Sequence, residues 1–314
     1  MPITRGDIPN LLTSGLRTEF MQGYETPMPD IYKTVCMEVP SGKDQEVYAW
    51  LGSTPKMREW ISERQLKGML EHTFTITNKD FEATIEVDRN ALEDDQYGQI
   101  QLRAKQLGLE ARRWYDEYLV TIIEANGLAY DGQNFFDTDH DTTGGEEAAQ
   151  SNAPAASATY ALSLASDFLE VLKLVSSAMA QFKDEKNKHY GARVTHVMVP
   201  TSLEWLAKEA FDPMFRGGGE TSSTNWAKGA VGVIVNPFLA NAATIAYSAV
   251  YWLDLSKPIK PFIFQNRKAP EFVSLDKPDS YELFMRKRIL YGVDARFNMG
   301  FGEWKLAYKT VGSA

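Results

Sequence analysis

The sequence predicts an α+β protein built from unusually long elements, and three stretches carry that prediction. Apolar residues at 81, 83, 85 and 87 alternate with polar residues at 82, 84, 86 and 88, the period of a strand with one covered face. A helical repeat of apolar residues from Asn90 to Asn126 predicts one helix of about 55 Å. A second alternation, from Tyr281 to Phe297, predicts a strand on the order of 55 Å. Elements of such length favour an elongated building block over a globular enzyme.

The ends of the two longest elements carry sequence signals. Asn90 followed by Glu93 is typical of a capping box, and Asn126–Gly127 supplies a left-handed stop. Within the helix, Gly98 and Gly108 are candidate positions for a kink. After the long strand, Asn298–Gly300 predicts a turn. Alternation at residues 304, 306 and 308 then predicts a strand that returns along the first as a terminal hairpin.

Composition excludes several classes of protein. The 314 residues are 44% hydrophobic, enough for one large or two ordinary domains. The single cysteine, Cys36, excludes an internal disulfide framework, fits a reducing cytoplasm and is expected to be buried or half-buried. The N-terminus lacks the apolar core of a signal peptide, and no stretch approaches the roughly 20 apolar residues of a membrane span.

Charge argues against binding of nucleic acid by electrostatics alone. The net charge is −9, whereas phosphate affinity comes largely from clustered Lys and Arg. The short basic run Arg286–Arg288 has two interpretations, contact with nucleic acid or a solvated or interface face, and the second is favoured.

The first 88 residues predict two appendages. Residues 1–45 hold a short apolar stripe that includes Phe20, followed by prolines that forbid regular structure, which indicates an arm lying on another part of the chain or on another subunit. Residues 46–87 run out and back as a two-stranded ribbon with Trp50, Met57 and Trp60 toward its tip. Such a ribbon is marginal in water alone, so docking on a neighbour through the tryptophans and packing within the subunit are both open.

An acidic stretch after the long helix is the one candidate metal site. It contains Asp131 and the cluster from Asp137 to Asp141, which includes Asp139 and His140. Thr142 stands where a calcium loop of EF-hand type needs glycine, and Ala148 stands where it needs glutamate. A turn built by Asp side chains is therefore the favoured interpretation.

The region after a low-complexity linker predicts a separate α+β unit. Its predicted elements are a helix from about 161 to 182, strands at 194–199, 231–235 and 245–253, and a helix that starts with a Thr201–Glu204 capping box. The loop from Arg216 to Asn225 is glycine-rich but lacks the Lys and Ser/Thr of a phosphate-binding loop. Nucleophile elbows, Cys/His pairs at useful spacing and His-Glu-x-x-His motifs do not occur, so we predict neither catalytic nor cofactor-binding residues and no metal ligands.

Several ordered blocks resemble the Mu-like phage major head subunit family. They are Tyr48–Gly52, Met57–Trp60, Asn78–Arg89, Tyr130–His140, Pro261–Gln265, Pro270–Ser274 and Tyr291–Arg296. The resemblance implies the Hong Kong phage (Johnson) capsid fold. Its expected parts are an N-terminal arm (1–44), an extended loop or E-loop (45–88), a peripheral domain with the spine helix and acidic turn (89–158), an axial domain (159–265) and the peripheral terminal hairpin (266–314).

The resemblance also implies a structural function in a virion. The expected role is a capsid subunit that forms hexamers and pentamers of an icosahedral head around packaged double-stranded DNA, assembled in the bacterial cytoplasm. Implied partners are the portal protein, a separate scaffolding protein, since the arm is too short to serve as one, and a decoration protein as a further candidate. The alternatives are an encapsulin-type nanocompartment shell and, less favoured, a metal-dependent enzyme using Asp137 to Asp141. Candidate assembly contacts are Phe20, Trp50, Met57, Trp60, Arg216 and Trp226.

Overall fold

The computed structural model describes residues 8–51, 71–88, 97–140, 149–154, 160–162, 164–184, 187–211, 227–239, 249–276 and 280–313. Its helices are α1 (Ile8–Tyr24), α2 (Ile31–Val35), α3 (Tyr97–Ala125), α4 (Ala165–Gln181), α5 (Glu204–Phe211) and α6 (Tyr281–Arg286). Its strands are β1 (Cys36–Pro40), β2 (Gln45–Leu51), β3 (Glu71–Thr77), β4 (Lys79–Asp88), β5 (Tyr160–Ala161), β6 (His196–Val199), β7 (Gly232–Val235), β8 (Ala249–Leu253), β9 (Phe262–Leu275), β10 (Arg288–Phe301) and β11 (Ala307–Ser313). The mixture confirms the predicted α+β class.

A long four-stranded sheet, in the order β1-β9-β10-β4, forms one half of the structure. Strand β10 lies inside it and pairs antiparallel with β9, from Phe301 opposite Phe262 to Leu290 opposite Leu275. Its other edge pairs antiparallel with all ten residues of β4. The strand β1 extends the sheet parallel to β9 and contains Cys36, which is buried as expected.

A five-stranded sheet, in the order β5-β11-β8-β6-β7, forms the second half. The sheet packs against α4 and α5 through aromatic side chains. The rings of Phe168 and Phe211 each lie 6.4 Å from the ring of Trp252, which is fully buried in β8. All of these elements except β11 lie within residues 159–265, and α4 begins four residues later than expected.

The long helix α3 lies on the four-stranded sheet and is held there by a cluster of aromatic rings, most of them in tilted or edge-to-face contact. Phe297 of β10 is the centre, with ring centroids 4.7 Å from Tyr115 and 5.7 Å from Tyr118 of the helix. Phe81 of β4 completes the cluster at 4.4 Å from Phe297 and 5.0 Å from Tyr118. Each aromatic pair adds about 0.5–1.5 kcal/mol beyond area burial. The Tyr118 hydroxyl also donates to Asn298 Oδ1 at 2.8 Å.

Helix α1 crosses α3 at two glycines. A Cβ added at Gly108 would lie 2.1 Å from the carbonyl oxygen of Phe20, and one at Gly23 would lie 2.0 Å from that of Lys105. The helix α3 continues through Gly108, where the missing side chain admits a neighbouring helix. The helix α1 thus lies on its own subunit, which is one of the two positions expected for the N-terminal arm.

The predicted terminal hairpin is wrong at both of its strands. Residues Tyr281–Arg286 form helix α6, because the Ser280 side chain accepts from the Leu283 amide at its N-terminus and Lys287 takes a left-handed conformation, with φ of 55°, at its end. The strand β10 begins only at Arg288. After it, a 3₁₀ turn at Trp304–Leu306 directs the chain into the five-stranded sheet, where β11 pairs with β8.

The other differences are local. The described part of the long helix begins at Tyr97 and ends at Ala125, and Asn126 is left-handed as predicted, with φ of 46°. The predicted capping box at Thr201 and Glu204 is wrong, because Thr201 already belongs to a 3₁₀ turn with Pro200 at its cap.

The glycine crossing predicts a position-specific effect of adding one methyl group. We expect Gly108→Ala to lower the free energy of unfolding by about 1–3 kcal/mol, because the Cβ must displace the α1 backbone. Gly98→Ala is the matched control, since a Cβ there meets nothing within 4 Å in the same helix. Thermal unfolding of the unassembled subunit checks this, and equal melting temperatures for the two variants would contradict the crossing.

Candidate assembly site

The predicted ribbon is present as a two-stranded antiparallel pair. β2 and β3 pair from Gln45 opposite Thr77 to Leu51 opposite Glu71, with the rest of the ribbon outside the described residues. β4 belongs instead to the long sheet, so the ribbon ends at its base, at Asn78. The base is therefore the point at which the orientation of the ribbon is set.

A buried network of amides holds the ribbon base to the long sheet. Asn78 Nδ2 donates to Ser41 Oγ at 2.9 Å and to the Lys43 carbonyl at 2.8 Å. Gln265 of β9 donates through Nε2 to Asn78 Oδ1 at 2.8 Å and to the Ile76 carbonyl at 3.2 Å. The Tyr48 hydroxyl donates to Gln265 Oε1 at 2.9 Å. Asn78 and Gln265 are both buried, so a broken bond here would leave a polar group without a partner.

The ribbon also packs closely on β10. Ile76 is buried, and a Cβ added at Gly300 would lie 2.5 Å from its Cδ1 atom. Beside this contact, Asn298 Nδ2 donates to the Thr77 carbonyl at 2.6 Å. The absence of a side chain at Gly300 thus allows the ribbon to rest on the sheet.

The short loop that enters the ribbon is ordered by one carboxylate. Glu46 accepts from the Ser41 hydroxyl at 3.0 Å and from the amides of Gly42 and Lys43 at 3.0 and 3.1 Å. These hydrogen bonds, with that of Ser41 the largest contribution, lower the pKa of the Glu46 carboxyl. On the outer side Arg296 forms ion pairs with Asp44 and Asp80.

Two side chains of α3 fix the segment between α1 and β1. Arg112 binds both carboxylate oxygens of Asp30, at 3.0 and 2.9 Å, and donates to the Tyr24 carbonyl at 2.9 Å. Asp116 accepts from the Tyr32 amide at 2.8 Å, and its burial raises its pKa to about 6. Because the folded chain holds that proton more tightly, the stabilisation from Asp116 is full below about pH 4 and is lost as pH rises through about 6.

The structure places two of the six predicted contact residues within described elements. Phe20 is fully buried inside the subunit, with its ring 5.4 Å from that of Phe272, so it supports α1 from within rather than facing a neighbour. Trp50 lies in β2 opposite His72. Outside the described residues lie Met57, Trp60, Arg216 and Trp226.

The acidic stretch folds as a structural turn around a buried histidine. His140 has no exposed surface, and its Nδ1 lies 2.6 Å from Asp131 Oδ2. Its Nε2 lies 3.2 Å from Asn152 Oδ1, and its ring stacks on Trp304 at 4.0 Å. Across the part of the chain that the structure describes, no three His, Cys, Asp or Glu side chains converge to hold a metal ion. Asp141 lies outside that part.

A family comparison decides between the remaining interpretations. The model of the Mu-like prophage major head subunit gpT matches residues 10–166, 163–239 and 240–313. The chain belongs to this family. The match confirms the resemblance read from the sequence blocks, and it identifies a structural capsid subunit rather than an enzyme.

Individual relatives are similar over almost the full chain. The chain is 26% identical to the Mu-like prophage FluMu major head subunit of Haemophilus influenzae, over 98% of its own length and 74% of that protein. It is also 26% identical to the major capsid protein of Escherichia phage Mu, over 99% of its length and 76% of that protein.

Solved capsids share the fold. The procapsid of bacteriophage JBD30 matches at 28% identity with a TM-score of 0.58, over 99% of this chain and 77% of that one. A JBD30 capsid decorated with minor capsid protein trimers matches at 20% identity and a TM-score of 0.53, over 92% and 66%. These neighbours confirm the predicted Hong Kong phage fold.

The sequence pattern did not predict an exposed apolar surface that this head subunit carries on α6. Tyr281, Phe284 and Met285 on α6 are exposed, although the alternation predicted a strand with one face covered. Ser280, directly before them, was the sequence signal for a helix, because serine is a common residue at a helix N-cap.

None of the described helices is long and apolar enough to span a membrane.

The ribbon base gives a direct test. We expect Asn78→Ala to cost about 1–3 kcal/mol, because the Gln265 amide and the Lys43 carbonyl lose their partner. Hydrogen exchange at the amides of β2 and β3 should accelerate, while exchange in β9 and β10 stays slow. Thr75→Ala on the exposed face of β3 is the control. Unchanged ribbon exchange in Asn78→Ala would show that the amide network does not hold the ribbon.

Proposed function

We propose that this head subunit assembles into hexamers and pentamers that close an icosahedral shell around packaged double-stranded DNA. The observation that carries the proposal is the ribbon. It is a two-stranded pair, marginal alone in water, whose base is nevertheless fixed to the long sheet by buried hydrogen bonds. A ribbon with a fixed base and a distant tip is suited to contact with a neighbouring subunit.

The contacts between subunits would be heterologous, with different surfaces meeting on the two partners. Contacts of this kind close into rings when the rotation between neighbours is right. The ribbon tip, with Met57 and Trp60, would lie on the adjacent subunit, with Trp50 nearer the base. The loop that begins at Arg216 and ends before Trp226 would meet its copies near the capsomer centre. Small changes at the ribbon base would then allow one sequence to occupy non-equivalent positions.

Further partners follow from this role. A closed head that is filled with DNA needs a portal, and a separate scaffolding protein would guide shell closure in the host cytoplasm. A decoration protein on the outer face is supported by the JBD30 capsid that carries minor capsid protein trimers. The net charge of −9 does not prevent the inner wall from holding DNA without sequence-specific contacts, because packaged DNA brings its own counterions.

The alternative of the same fold is a nanocompartment shell that encloses a protein cargo. Membership in the head-subunit family favours the genome-containing head. The contents of purified particles separate the two: nuclease-protected DNA from phage-producing cells supports the head, and a bound cargo protein without DNA supports the compartment.

Expression of the chain alone and with its scaffolding partner tests the assembly. Electron microscopy and sedimentation should reveal closed shells, capsomers or tubes. We expect Trp60→Ala to reduce shell yield about tenfold or more, because large aromatic residues dominate interface energetics. Ser62→Ala, in the same segment of the ribbon, is the control that removes no apolar surface. A monodisperse monomer under both conditions would contradict the proposal.

A further inference from the structure

Helix α6 presents three large apolar side chains to solvent. Tyr281, Phe284 and Met285 are 67%, 81% and 59% exposed, and we refer to them together as the α6 knob. Single exposed apolar residues are ordinary, but three on a six-residue helix form a contiguous patch. Such a patch favours contact with a partner.

The α6 knob is held in place by its surroundings. Ser280 caps the helix at one end, and the left-handed Lys287 ends it at the other. The remaining apolar residue of the helix, Leu283, packs against the buried cluster that contains Ile289 and Tyr291. The knob is therefore pre-organised for binding, which lowers the entropy cost of association.

A receiving pocket lies on another part of the same subunit, between α3 and the strands β4 and β10. Its volume is about 240 Å³, enough for an aromatic side chain. Its lining is mostly apolar and includes Leu107, Ala111, Trp114, Pro270 and Val293. The indole Nε1 of Trp114 is buried there without a hydrogen-bond partner. No residue of α6 lines this pocket, so the knob does not fill the pocket of its own subunit.

Charge on the two surfaces is complementary. The pocket carries three exposed carboxylates, Glu82, Glu110 and Glu117. The knob is followed directly by the basic run Arg286–Arg288, whose three cations outnumber the two carboxylates that pair with them, Glu282 and Glu86, so Lys287 is the excess cation. Opposite charges around an apolar centre are the usual arrangement of a specific protein interface.

We propose that the α6 knob of one head subunit inserts into the α3 pocket of a neighbouring copy, with Lys287 of the basic run against the pocket carboxylates. The inference rests on the proposed assembly function and adds a contact separate from the ribbon. Because knob and pocket are different surfaces, the contact is heterologous and propagates from subunit to subunit.

The observations favour a second copy over nucleic acid as the partner of the basic run. Arg286 pairs with Glu282 at 3.1 Å, and Arg288 pairs with Glu86 at 2.9 Å, so two of the three cations already face carboxylates. The neighbouring apolar side chains also have no counterpart in a phosphate backbone.

Disulfide trapping in assembled shells tests the contact. We expect the double variant Phe284→Cys with Ala111→Cys to give a ladder of linked subunits on non-reducing gels after mild oxidation. Phe284→Cys with Leu102→Cys is the matched control, because Leu102 is 59% exposed on α3 but does not line the pocket. The native Cys36 is buried and does not compete.

The outcomes separate this inference from the assembly itself. Shells that form normally but link no better through Ala111→Cys than through Leu102→Cys would overturn the knob contact and leave the assembly function intact. Failure of the unmodified chain to form shells even with its scaffolding partner would overturn both.

Charge reversal covers the case in which the cysteine variants do not assemble. Lys287→Glu and Glu117→Lys should each lower shell yield, and the two together should restore it to at least half of the unmodified level. Melting temperatures of the unassembled variants should remain within about 2 °C of the parent, since both positions are exposed. A double variant that assembles no better than the singles would contradict the proposal, as would loss of DNA retention alone with normal shell yield.

Discussion

The packing of the Phe297 ring against Tyr115 and Tyr118 is the interaction on which the rest of this subunit depends. It joins the long helix α3 to the centre of the four-stranded sheet, and Phe81 brings the edge strand β4 into the same cluster. A single helix or an uncovered sheet of this length would expose a full apolar face to water. The helix α3 and the four-stranded sheet β1-β9-β10-β4 together form one stiff unit, which we call the frame.

Two described segments outside this frame, the ribbon base and the connection after α1, are fixed to it by polar contacts. The ribbon is held by the amides of Asn78 and Gln265, and the segment after α1 is held by Arg112 and Asp116. Buried polar contacts of this kind constrain direction more than they add stability, because each replaces hydrogen bonds to water. A head subunit needs such direction, since a small error at the ribbon base becomes a large displacement at its tip.

The sequence pattern predicted the long helix and strands of the frame better than the segments and pairings that connect them. Alternation at residues 81–88 and the helical repeat up to Ala125 are strong periodic signals, and both elements are present. Alternation could not distinguish the helix Tyr281–Arg286 from a strand, because six residues are too short to separate the two periods. The pairing of β11 with β8 and the Asn78–Gln265 hydrogen bond join residues far apart in the chain, which no local pattern reveals. The pocket on α3 was missed for the same reason.

The most direct test of this account is a cryo-electron microscopy structure of the assembled shell in which all non-equivalent copies are superposed. We expect α3 and the four strands β1, β9, β10 and β4 to agree among copies within about 1 Å, as rigid partners do on binding, while the ribbon changes its angle at Asn78. Copies in which α3 moves across the sheet or the register of β10 with β4 changes, while the ribbon angle stays constant, would contradict the rigid frame.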